Sequence, residues 1–90
     1  MRKEVKICGI NYKIKQKQNI DNDESIQGII YHNKAEINVK KNMPKDLKES
    51  VLFHEIVHGI LTNLGYAELN VDEKFVQCLS NALYQMFKLK

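Results

Sequence analysis

The chain of 90 residues has no tryptophan, one proline, two cysteines and a single arginine among its 14 basic residues. Four glycines and one proline are too few for a collagen-like or low-complexity chain. The cysteines, Cys8 and Cys78, stand far apart with no CxxC spacing, and a disulfide between them is the lesser expectation. They are expected to be reduced, partly buried thiols in a cytoplasmic protein. No run of about 18 apolar residues occurs, so no membrane span is expected. The opening MRKEVKICGINYKIK alternates lysine with apolar residues and has no continuous apolar stretch, so no secretory signal is expected either. The lone arginine, Arg2, bears on nucleic acids, because paired readout of phosphates and base edges leans on guanidinium groups. Arg2, Lys3, Lys6, Lys13, Lys15 and Lys17 crowd the first strands against Glu4 alone, yet stacking aromatics are sparse there. The excess is therefore read as a solvated strand face, with nucleic acid not an expected partner.

What is present is an ordinary globular balance of 43% hydrophobic and 28% charged residues, enough for a single domain over residues 1–90. Val5, Ile7, Tyr12 and Ile14 alternate with lysines about a turn near Gly9, which predicts a hairpin. Residues 16–25 are polar and aperiodic, hence a loop. Gly28 to Tyr31 is a short β-branched run. Ala35, Ile37 and Val39 alternate with Glu36, Asn38 and Lys40, which predicts a half-buried edge strand of a small, largely antiparallel four-stranded sheet. A helix is expected after Asn42, with Pro44 in its first turn and Gly65 as its left-handed stop. A second, capped by Asn70, is expected to run to about Lys88 on an apolar stripe of Phe75, Val76, Leu79, Ala82, Leu83, Met86 and Phe87. Tyr31, Phe53, Phe75, Phe87 and Cys78 are expected in the core. Strands followed by helices make the fold class α+β.

The chemistry lies in His54-Glu55-Ile56-Val57-His58, an HExxH motif on the first helix. Histidines four residues apart share one helix face, so both imidazoles can converge on one tetrahedral Zn²⁺. Glu55, about 100° round the helix, lies beside such an ion and can take a proton from the attacking water. The flanking VLFHEIVHGIL is apolar on nearly every side, and ionisable groups on a buried helix are costly unless something satisfies them. A third ligand is needed. Positions 61 and 64 are both Leu, which excludes the metzincin extension. Glu68, Asp72 and Glu73 remain: Asn70 with Glu73 reads as a variant capping box, while a helical wheel puts Asp72 nearer the centre of the apolar stripe. Spacing alone does not choose between them. His32, in a predicted turn, is the remaining histidine.

The run ICGINYKIK, GIIYHNKAEINVK, SVLFHEIVHGIL, EKFVQCLSNALYQMF resembles the small phage- and prophage-encoded HExxH proteins related to the ImmA/IrrE-type metallopeptidases, over about residues 5–88. The resemblance implies a zincin-like minimal domain of gluzincin type, with His54, His58 and Glu73 holding zinc and Glu55 as general base. It implies a peptide or protein substrate lying along the strand at 35–40. The small size of the core separately leads us to expect a partner that delivers the substrate. Tyr66, Tyr84 and His32 are the candidates for stabilising the oxyanion. The competing expectation is a non-catalytic phage structural or regulatory adaptor whose zinc is structural or vestigial.

Overall fold

A computed structural model describes residues 1–88. The order is β1 (Glu4–Ile7), β2 (Ile10–Lys17), β3 (Gly28–Tyr31), a 3-10 turn (His32–Lys34), β4 (Glu36–Lys40), α1 (Lys45–Leu64), α2 (Ala67–Asn70) and α3 (Glu73–Lys88). The class is α+β. β1 and β2 form the expected hairpin, and Cys8 and Gly9 both take positive φ between Ile7 and Ile10, the backbone of the tight turn that matches strand twist.

The sheet order is β1-β2-β4-β3. β4 therefore lies inside the sheet, not at its edge, and the open edge beside it belongs to β3. β4 runs parallel to β2 and antiparallel to β3, so the sheet is mixed. The alternation at 35–40 was legible, but an interior strand with one face on the core shows the same alternation as an edge strand. The parallel pairing also needs a long return path. Residues 18–35 supply it, and they carry β3 within them. The pairing of β4 with a strand on each side settles the placement, and its core-facing Ile37 and Val39 are fully covered, at 0% exposed.

One face of the sheet packs on α1. Ile7, Tyr12, Ile14, Ile37 and Val39 form a core with Leu52 of α1. Gly59 makes that contact close, because a Cβ there would stand 2.9 Å from Ile7 Cδ1 and 3.0 Å from Ile30 Cδ1. The opposite flank of α1 receives α3 through a smaller cluster of Val57, Leu61 and Val76 backed by Leu69, Leu79 and Leu83. Covering α1 from both sides explains why its middle is apolar nearly all round.

Several expectations at the second helix are corrected. Gly65 stops α1 with φ 81°, its N–H directed to the carbonyls of Leu61 and Thr62. Asn70 does not cap α3: it ends the short α2, and Asp72 instead accepts a hydrogen bond from the Phe75 N–H at 3.1 Å. The buried side of α3 is Val76 and Ser80, while Phe75 and Phe87 are 37% and 53% exposed. Cys8 and Cys78 are both exposed free thiols, not partly buried ones. α3 packs chiefly on α1 and less on the short α2, so part of its apolar stripe stays exposed. Among the described residues no helix is long and apolar enough to cross a membrane.

Candidate metal centre

His54 and His58 project from the middle of α1, one turn apart, with ring centroids 4.9 Å apart and planes at 68°. Glu73 enters from the first turn of α3. Its Oε2 lies 3.2 Å from His54 Nε2 and its Oε1 lies 3.2 Å from His58 Nε2. One ligand atom from each of the three residues falls within 4.8 Å of the other two. Tetrahedral nitrogen and oxygen ligands at about 2.1 Å from a shared zinc would stand about 3.4 Å apart. The two histidine–glutamate distances are close to that separation.

The outer ring nitrogens sharpen the fit. His54 Nδ1 lies 2.9 Å from Gln77 Oε1, and His58 Nδ1 lies 2.7 Å from Asn70 Oδ1. Amide oxygens accept only, so each Nδ1 carries its hydrogen. In a neutral imidazole that leaves the Nε2 lone pair facing the Glu73 oxygens. In that state the imidazoles and the carboxylate could hold a cation between them, and two imidazoles with one carboxylate are a donor set that zinc accepts.

Glu55 lies next to His54 at 8% exposed. Burial pushes its carboxyl above the usual range; the two histidines pull it back and Glu73 pushes it up again. It lines an open cleft of about 280 Å³ walled by residues 25–28, by Val51, His54 and Glu55 of α1, and by Gln77 of α3. Gly28 forms part of that wall. A Cβ there would collide with Val51 Cγ1 and come within 3.4 Å of Glu55 Cγ, so glycine lets the edge strand reach the carboxylate.

The other candidates lie elsewhere. Asp72 is engaged at the start of α3, and Glu68 is exposed on α2. Tyr66 is 49% exposed. Tyr84 donates its hydroxyl to Glu49 at 3.1 Å and packs on Phe53. His32 sits in the 3-10 turn with Nε2 3.3 Å from Thr62 Oγ1. Burial, and then the neighbouring His58, hold its imidazole below the ordinary value. Thr62 Oγ1 also accepts from the Asn70 amide at 2.8 Å. Reading the sequence missed Asn70 and Gln77 at the histidines. The signal was the spacing of Asn70, Glu73 and Gln77, three and four residues apart, and it was masked by assigning Asn70 to a cap.

No protein-family model matches the chain, and no curated protein or solved structure matches it either.

Proposed function

We propose that the chain is a zinc-dependent hydrolase of peptide bonds, of the small phage-encoded ImmA/IrrE-related kind that its motif order resembles, with the zincin-like arrangement reduced to four strands and the HExxH and glutamate helices. The observation that carries this reading is the convergence of His54 Nε2 and His58 Nε2 on the two oxygens of Glu73, each at 3.2 Å, beside a buried carboxylate.

In this reading His54, His58 and Glu73 hold the ion. Zinc, when bound, supplies Lewis acidity, bringing the pKa of a coordinated water toward about 7 and polarising the scissile carbonyl. Glu55 takes a proton from the attacking water as the oxygen adds to the carbonyl carbon. It returns that proton to the nitrogen as the C–N bond breaks. Partial burial keeps its carboxyl ready to hold the proton between the two transfers. The backbone of β3 orients the substrate. Lys40 N–H bonds to the Gln27 carbonyl at 2.8 Å, and alternation along an antiparallel pair then turns the N–H and C=O of Gly28 and Ile30 to the open edge. An extended peptide adding to that edge passes the cleft at Glu55.

A structural zinc would be closed by four protein ligands. Among the described residues the cluster has three, and Glu73 is 68% exposed at the side chain, which favours the hydrolase over the adaptor. The test measures zinc per chain and peptide hydrolysis for the wild type, His54→Ala and Glu55→Gln. The expected pattern is one zinc in the wild type, none in His54→Ala, and one zinc without hydrolysis in Glu55→Gln. Equal, near-zero zinc in the first two removes the metal, and turnover by Glu55→Gln removes Glu55 from the base role.

A further inference from the structure

The two histidines are held from behind by one short stretch of chain, the same one that brings Glu73. α1 and residues 70–77 run antiparallel. His58 therefore meets Asn70 at 2.7 Å, His54 meets Gln77 at 2.9 Å, and Glu73 falls between them. Each amide is itself anchored. The Asn70 nitrogen donates to Thr62 Oγ1 at 2.8 Å, and the Gln77 nitrogen donates to Asn81 Oδ1 at 2.9 Å. With its nitrogen so engaged, each amide turns its oxygen to the imidazole.

We propose that Asn70 and Gln77 are positioning residues for the metal site: each fixes the ring of one histidine with Nδ1–H outward and Nε2 toward Glu73, so that residues 70–77 act as a single clasp that sets metal affinity. This rests on the proposed metal site and extends it to residues that do not touch the ion. The chemistry distinguishes a positioning role from simple packing. Groups behind a metal-bound histidine are commonly carboxylates or carbonyls, which orient the ring and strengthen the ligand. Both acceptors here are neutral amides. A neutral acceptor orients the ring while adding no negative charge to a site that already holds Glu73. Exchange to a carboxylate keeps the acceptor and adds charge, whereas truncation removes the acceptor.

The experiment measures zinc affinity by chelator competition for the wild type, Asn70→Ala, Gln77→Ala, Asn70→Asp and Gln77→Glu, with circular dichroism to establish that each is folded. Nitrogen-15 spectra of the zinc-loaded proteins report the Nδ1–H signals of His54 and His58. The alanine variants should each bind zinc about 10–100-fold more weakly. Each should also lose the slow-exchanging Nδ1–H signal of its own histidine only, His58 for Asn70 and His54 for Gln77. The acidic variants should retain both signals and bind at least as tightly as wild type. Should an alanine variant unfold, the acidic variant at that position still decides: weaker binding or a lost signal there overturns the clasp. Folded alanine variants with wild-type affinity and both signals overturn it as well, and leave the metal site standing. A wild type that binds no zinc removes both.

Discussion

The two flanks of α1 are built differently. Toward the sheet, Leu52 joins Ile7, Tyr12, Ile14, Ile37 and Val39 in a continuous apolar core closed at Gly59. Toward α3, Val57, Leu61 and Val76 form a small cluster backed by Leu69, Leu79 and Leu83, and Phe53 packs on Tyr84 and Phe87. Beside these lies a polar set of two imidazoles, a carboxylate and two amides. The sheet flank is stabilised by removing apolar surface from water and needs no ligand. The α3 flank gathers groups that a cation could join, in which case metal binding would add to its stability. One flank fixes the position of the helix. The other brings Glu73 to His54 and His58 on that fixed helix, the centre we propose for a metal.

The largest expected effect separates chemistry from stability. Glu55→Gln should lower peptide hydrolysis on the order of a hundred- to ten-thousandfold with zinc retained. Its metal-free form should melt no lower than wild type, because a buried carboxylate is exchanged for a neutral amide of the same size. Next comes the core. Ile37→Ala removes a side chain that is 0% exposed and should cost about 2–5 kcal/mol in denaturant unfolding. The loss should be the same with and without zinc, because this flank does not depend on the ion. The α3 flank should behave in the opposite way. Free zinc a hundredfold above its dissociation constant should stabilise the wild type by about 2.7 kcal/mol, raising the melting temperature by about 10–20 °C. The same zinc should leave His58→Ala unmoved.

Smaller effects sharpen the contrast. Thr62→Val removes the oxygen that anchors the Asn70 amide and should weaken zinc binding by about two- to fivefold, the worth of one modest hydrogen bond. The smallest lies on the outer face of the sheet, where Lys15 pairs with Glu36 at 3.0 Å. The hydrogen bond from Lys15 is the main cause holding the Glu36 carboxyl below its ordinary value. Deprotonated Glu36 thus favours the folded chain. Its contribution is present above the ordinary carboxyl range and is lost as pH falls through the lowered value. The stability difference between wild type and Lys15→Met should be under about 1 kcal/mol near neutrality, smaller in salt, and should vanish on acidification.

Much of this division is legible in the sequence, for a physical reason. Periodicity reports which face of an element is buried, so the β1–β2 hairpin, the alternation at 35–40 and the long apolar helix ending at Gly65 could all be read. It does not report what lies beside a strand in the plane of the sheet, so β4 was placed at the edge that β3 occupies. HExxH spacing is local, and it placed His54, Glu55 and His58 on one helix. The choice between Asp72 and Glu73 depends on how residues 65–72 turn, which is not local. The structure engages Asp72 at the start of α3 and turns Glu73 to the histidines. Asn70 and Gln77 escaped notice because a polar side chain near a helix start is explained by capping before any tertiary partner is known.

X-ray absorption at the zinc edge of the loaded protein tests the central claim most directly, since it reads the ligand atoms themselves. A shell of nitrogen and oxygen at about 2.0–2.1 Å with the outer-ring scattering of two imidazoles, reduced to one imidazole in His58→Ala, is the predicted result. Sulfur from Cys8 or Cys78 in the shell, or a spectrum unchanged in His58→Ala, would contradict it.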